Sequence, residues 1–564
     1  MGDRGFIGVD ARRDPGQLED GLVAWAENAR FDKGVAAPRR GIRKLNFGAQ
    51  GYLDDSPEVI HPYSDVVDAQ TFQDPISGGE WLVVATVDGI FRTRPGQRGV
   101  AVPMPAGEDV PEDARLVQTY NGMILFRGVD HDPLYLYELD VGFGVLPTPG
   151  VGKQVLPRAT QAVYFGNRVF AVDARDGAVY RDTVFVSDIG AVTSVLQGDA
   201  VINQFKINQG SADRLRAVFK FNDTTLICGK DRSIYVVSNI YGDNAAIATN
   251  ARLDEVTSEY GCRAPDSFVQ VGKDVWFLAH RRGIASIRQT ETNALQGVDV
   301  PISRDLQPVI DRINWEHAGD AVAAAWGNRV YFAVPLDSST VNDTVLVYDT
   351  VNQRWCGIDN GDALVGVVSW VKFTYGGEVR LGYFSTDGYL NLYEDGNLDH
   401  VGSEDGDITY ESVPFKVHTR GYGGQLPGLK EFSSVRVAVA TWWPEYTLTA
   451  RVDGARETRV VRSVTAERER YSRPFDAAAY DTSNANDDFH TPYREDYSVD
   501  PGEDFDPGSN GITPDLHQET EVVAWIRSTG RWCQIQLESQ RGRCELRGVL
   551  VDNRRGSVKD GSRT

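Results

Sequence analysis

Paired carboxylates on a rigid scaffold can cleave a glycosidic bond, one as acid and the other as base or nucleophile, and this chain carries acids in surplus, with Asp+Glu 80 against Lys+Arg 58. Asp88, Asp130, Asp173, Asp176 and Asp387 all fall at or near recurring turns. Aspartate caps a turn with its own side chain, so the turn role outweighs the catalytic one. Asp504-Phe505-Asp506, with Asp500 and Asn510, supplies oxygen ligands for calcium, yet the glycine and closing glutamate of an EF-hand loop are missing. The 8 histidines include no i, i+4 pair, and no GxSxG, HExxH or GxxxxGK[ST] string occurs. Gly229-Lys230 and Gly272-Lys273 lack the upstream glycine of a phosphate loop. The 5 cysteines form no CxxC, which leaves zinc and dithiol chemistry without support. The expectation is a protein that is not an enzyme, with no catalytic residues, no cofactor and no metal.

The elements that would hold any site are strands. Residues 321–359 read as two hairpins: 321–326 and 329–334 around Gly327-Asn328, then 344–349 and 354–358 around Asn352-Gln353. The first hairpin recurs at Gly78-Gly79, Asn121-Gly122, Gly166-Asn167, Asn222-Asp223, Gly272-Lys273 and Gly376-Gly377, about 43 to 56 residues apart. A four-stranded sheet cannot bury both faces alone, so about seven such units stacked radially predict a β-propeller over residues 60–394. A long β-sandwich is the competing arrangement. Residues 385–388, Ser-Thr-Asp-Gly, are similar to the Asp-box of sialidase propellers but lack its S-x-D-x-G spacing and aromatic close. Insertions at 187–215 and 289–319 interrupt the repeats, the second with a helical turn expected between Pro301 and Pro308.

Residues 1–59 look different and are expected to form an N-terminal arm. Leu18, Leu22, Trp25, Ala26 and Ala29 recur at helical spacing after Asp14-Pro15, predicting a short amphipathic helix. A turn at Asp32-Lys33-Gly34 and a basic block of Arg39, Arg40, Arg43 and Lys44 follow. Within this arm Ala26-Glu27-Asn28, Arg30-Phe31, Gly34, Pro38-Arg39 and Gly41 spell A-E-N-x-R-F-x-x-G-x-x-x-P-R-x-G. That pattern resembles the opening of β-rich virion proteins of tailed bacteriophages, of the tail nozzle or tail hub type. The resemblance implies a structural tail component: usually a hexameric ring of copies around the DNA channel, assembled in the host cytoplasm, with other tail or adaptor proteins as partners and DNA in transient passage. On that reading Trp25, Asn28, Arg30, Phe31, Arg39 and Arg40 are candidate docking residues. A carbohydrate-binding or sugar-cleaving propeller acting in host-surface recognition is the alternative, with Trp442-Trp443 or Tyr493 and Tyr497 as an aromatic platform.

Beyond the repeats, residues 395–408 turn acidic and glycine-rich and read as a linker. Residues 409–564 alternate again and predict a β-sandwich, interrupted at about 474–515 by an acidic stretch too polar for a core. Cys533 and Cys544 sit on two of its strands, where a cross-strand disulfide is conceivable but reduced, buried thiols are favoured. The fold class is therefore all-β, a propeller plus a sandwich. A formal net charge of -22 argues against a surface that grips nucleic acid, since that needs clustered Lys and Arg. No apolar run of membrane length and no apolar leader core occur, so a soluble product not exported by the general route is expected.

Overall fold

The computed structural model describes the chain apart from residues 1, 4, 46–62, 64, 95–98, 121, 137, 147–153, 175–179, 188–196, 199–203, 242–249, 290–294, 298–299, 403–407, 425–427, 454–458, 465–516 and 556–564. The fold is an all-β propeller joined to a second β-domain. Six separate four-stranded antiparallel sheets, and a seventh quartet that heads a larger sheet, follow one another along the chain. Their inner strands are Val66–Gln73, Arg115–Gln118, Ala159–Phe165, Leu215–Asn222, Val269–Val271, Val322–Trp326 and Val367–Tyr375, which open blades 1 to 7.

The repeated hairpins set the blades, and their turns follow the glycine chemistry. Gly166 and Asn167 both take positive φ, 55° and 59°, while at Gly327-Asn328 only the glycine does, at 56°. Gln353, at φ 52°, turns the second hairpin of blade 6 between Thr344–Asp349 and Arg354–Asp359. Between blades the packing is apolar: Phe170, Leu226, Cys228 and Val237 share one core cluster, and Val275, Phe277 and Ile234 another. In the insertion before blade 6, Ile302–Leu306 and Gln307–Ile310 form the expected helical turns. The Trp355 indole N–H donates to the Ile302 carbonyl at 2.9 Å and ties them to blade 6.

The opening segment departs from the expected arm and helix. Leu22–Glu27 is a strand, lying parallel to Arg354–Asp359 on one side and antiparallel to Phe415–Thr419 on the other. Tertiary pairing overrides the helical spacing here, and Leu18, Leu22, Ala26 and Ala29 are buried by it. Arg43–Leu45 then supplies the fourth strand of blade 7, paired with Leu390–Leu392. The ring is thus closed by the start of the chain. The expected linker also departs from its reading: Leu398–Gly402 pairs with Ile408–Ser412 as a hairpin. Asp399 within it is buried against Arg39, so its acidity marks an internal ion pair and not solvation.

Two 23-residue strands, Lys430–Val452 and Cys533–Arg555, pair antiparallel along their length and organise the C-terminal β-domain. His517–Gly530 flanks one half of the pair, and Arg459–Val464 flanks the other. Buried positions run Val435, Val437, Val439 and then Tyr446, Leu448, Ala450, Val452. The register shifts between Ala438 and Tyr446 change which parity faces inward, as bulges do, and both halves bury into one core cluster. The same hydrogen-bonded network continues through Phe415–Thr419, Leu22–Glu27 and Gly8–Val9 into blade 6. Cys533 and Cys544 are free and buried, and burial pushes the Cys533 thiol up to about 12. The acidic stretch 474–515, the calcium candidates in it and the Tyr493 and Tyr497 platform lie outside the described residues, as do the side chains of Trp442 and Trp443.

Gly41, in the bacteriophage-like pattern, shows how tightly the opening segment is seated. A Cβ there would lie 1.8 Å from the Leu398 carbonyl oxygen, backbone that cannot rotate away. Gly41→Ala is expected to cost about 3 kcal/mol, read as a lowered urea midpoint.

Candidate functional site

Five of the six candidate docking residues face the protein's own interior or are half-buried against it. Arg30 and Arg39 enter the junction between blade 6, the end of blade 7 and the 398–412 hairpin. Arg30 holds Asp359 with a two-pronged contact, at 3.0 Å and 2.6 Å, and donates from Nε to Glu394 at 2.5 Å. Arg39 holds Asp399 the same way, both bonds at 2.7 Å. Such forks match guanidinium to carboxylate geometry. Asn28, at φ 53°, joins the two: its Oδ1 accepts from Arg39 Nε at 3.0 Å, and its Nδ2 donates to Asn360 at 3.0 Å. Phe31 is in the core. The Trp25 indole N–H is half-buried and donates to Glu27 at 2.6 Å. Arg40 alone of the six is exposed.

The electrostatics follow from this closure. Burial pushes the Asp359 carboxyl up, but the charge and hydrogen bonds of Arg30, with Arg39 and Tyr393 behind, outweigh it and hold the group below the usual carboxylate range. Burial also opposes the charge on Arg30, and Asp359 and Glu394 more than restore it. Two more residues of the basic block are also answered: Lys44 Nζ lies 3.0 Å from Asp387 and 3.9 Å from the Tyr389 ring centroid, and Arg43 lies 3.7 Å from Asp395. Asp387 therefore sits in the turn that resembles an Asp-box, bonded to the Ser385 hydroxyl and to Lys44, in a structural arrangement. Sequence reasoning picked out the arginines and missed their partners. Asp359 and Glu394 lie 329 and 364 positions from Arg30, a pairing that no local spacing reveals.

The second candidate is the axial channel, a cavity of about 1190 Å³ lined by the inner strands of all the blades. It is crossed by a polar bolt. Arg115 Nε of blade 2 approaches Asp266, before blade 5, at 3.3 Å, and the Gln161 amide of blade 3 donates to the same carboxylate at 3.1 Å. Side chains also stitch blade edges together: Asp68 accepts from Leu116 N at 2.8 Å, Gln70 from Gln118 N at 3.0 Å, and Ser369 donates to the Ala69 carbonyl at 2.9 Å. Burial pushes the Asp68 carboxyl up to about 6, opposed by Arg115 and its backbone donors and helped by Asp266.

That shift has a sign. An aspartate is ordinarily half-ionised near 3.9, so the folded chain favours protonated Asp68. The penalty is absent below about pH 4 and complete above about pH 6. Relative to wild type, Asp68→Ala is expected to gain up to roughly 3 kcal/mol between those limits, measured by urea unfolding of both proteins across that range.

Among the described residues no group of three or more His, Cys, Asp or Glu is placed to hold a metal ion, and no helix is long and apolar enough to cross a membrane. No protein-family model matches the chain, and no characterised protein matches its sequence. Solved structures similar to it include BBS1N in complex with ARL6DN (13% identity, TM-score 0.35, 63% of this chain and 96% of that one). YCF48 bound to D1 peptide is another (10%, 0.36, 63% and 94%), as is the computationally designed protein Ika8 (12%, 0.34, 62% and 99%).

Proposed function

We propose that this chain is a structural component of a tailed-bacteriophage tail, a nozzle or hub subunit that forms a ring of copies around the DNA channel. The observation that supports this reading is the junction. The residues that resemble the opening of such virion proteins, Asn28, Arg30, Phe31, Arg39 and Gly41, are the ones that weld the opening segment to blade 6, to the end of blade 7 and to the 398–412 hairpin, through buried ion pairs and close packing. A pattern spent on rigidity suits a part that transmits load and guides a passing duplex without chemistry of its own. Its partners are further copies of itself and neighbouring tail proteins, met through surfaces other than this junction.

The net charge of -22 fits passage without adhesion, since acidic side chains repel phosphates over roughly 8 to 10 Å at physiological salt. Negative-stain class averages of the purified full-length chain are expected to show rings around a hole wide enough for a duplex, with a net acidic inner surface. A chain that stays monomeric at micromolar concentration, or a basic lumen in the ring, overturns the reading.

A further inference from the structure

The axial channel has a chemistry that a rigid tail part does not require. Its carboxylates gather where the inner strands begin: Asp65 before blade 1, Glu112 and Asp113 before blade 2, Asp266 before blade 5 and Asp320 before blade 6. Farther along, the wall changes to amides and rings: Gln70, Gln118, Gln161, Gln270, Tyr164 and Phe219. Several of these amides are only half committed. Gln70 accepts through its carbonyl from Gln118 N, and its NH₂ has no partner among the described residues. Gln161 and Gln270 donate through their NH₂ groups, to Asp266 and to the Gly272 carbonyl, which leaves their carbonyls able to accept. Tyr164 and Phe219 are half-buried, and the second is stacked on Phe268 with ring centroids 5.6 Å apart, a support that fixes its orientation.

We propose that this channel is a saccharide site that takes one end of a neutral oligosaccharide. An amide offers a donor and an acceptor side by side, the complement of vicinal hydroxyls, each of which is both. Aromatic faces held in place by neighbours offer the apolar surface that the C–H face of a pyranose covers. A concave site with apolar walls and a few convergent polar groups is the usual form of a small-molecule site, and this cavity of about 1190 Å³ exceeds the common range for a single drug-sized ligand, leaving room for more than one sugar unit. Charge sets the class. Six lining carboxylates face only Arg115 and Lys372, and Arg115 is already engaged by Asp266, so uronic and sialic acids are repelled. The site stands independently of ring formation.

The test is isothermal titration and saturation-transfer NMR on the full chain with chitotetraose, maltotetraose and cellotetraose, and with tetragalacturonate and sialyllactose as anionic counterparts. Saturable binding of at least one neutral tetrasaccharide is expected, weakened about tenfold by Tyr164→Ala and by Gln70→Ala, with both variants still folded and melting cooperatively above the assay temperature and no binding of the anionic sugars. Failure of all three neutral sugars to bind overturns the proposal. So does binding that survives both substitutions, equal binding of tetragalacturonate, or a peptide released from the channel on unfolding and seen by mass spectrometry.

Discussion

Removing residues 1–44 is expected to leave no folded protein. An N-terminal arm on the surface is cut away at little cost, because the backbone it exposes was already solvated. Here the segment supplies Arg43 and Lys44 to the closing strand of blade 7. It also supplies Leu22–Glu27, which lies between blade 6 and Phe415–Thr419. Phe6, Val9, Val23, Phe31 and Ile42 go with it from the largest core cluster. A large buried side chain truncated to alanine costs about 2 to 5 kcal/mol, and whole-domain stability is about 5 to 15 kcal/mol. Losing five such residues exceeds that margin even before Asp359 and Asp399 are left facing an empty groove. Circular dichroism and size-exclusion chromatography of the truncated chain check this. A soluble product with a cooperative melt like that of the full chain would mean that the segment is an arm after all.

The second large effect is expected at a single ion pair. Asp399→Ala leaves Arg39, whose side chain is 0% exposed, without its counter-charge. Breaking a buried pair from one side costs about 3 to 5 kcal/mol, because the remaining charge is neither solvated nor paired. The paired replacement Arg39→Met with Asp399→Leu is expected to recover much of that loss, since it removes the desolvation of both charges together. Chemical unfolding of both variants beside wild type decides the matter: equal destabilisation by the single and double replacements would show that packing and not charge is at stake. The pH dependence has the opposite sign to that at Asp68. Asp359 is held below the ordinary carboxylate range, so its contribution is present above that range and lost as pH falls through the depressed value. The share of the junction's stability that Asp359 carries is therefore present at neutral pH and lost only below the ordinary carboxylate range.

Much of this architecture was legible in the sequence because the hairpin code is local. The turn pairs at Gly166-Asn167, Gly327-Asn328 and Gly376-Gly377 mark the tips of their blades, since glycine and asparagine reach positive φ at little steric cost. The helical turn after Pro301 was legible for the same reason. The opening segment was misread because its cue was also local. Leu18, Leu22, Trp25 and Ala26 have helical spacing, but Trp25 and Ala26 pair with His418 and Val417, about four hundred residues away, and long-range pairing outweighs a propensity of some tenths of a kcal/mol per residue. The acidic run at 395–408 misled in the same way, because composition alone does not tell an aspartate facing water from one gripping a buried arginine. Of the candidate site, the arginines showed in the sequence and their function did not. A guanidinium that docks on a neighbour and one that locks its own core have the same letters around them.

Closure of the ring by the start of the chain also fixes an order in time. Arg30 leaves the ribosome long before its partners, which follow it by 329 and 364 positions. At about 5 to 20 residues per second it waits roughly 20 to 70 s for them. Blades 1 to 5 emerge in that interval and can pair within themselves, while the opening segment has only its own short pairings, such as Ala29–Asp32 with Val35–Pro38, and lacks its long-range partners. Closing the ring is thus the capture of an early segment by strands made more than three hundred residues later, and until then the sheet edges that await those strands stay unmatched.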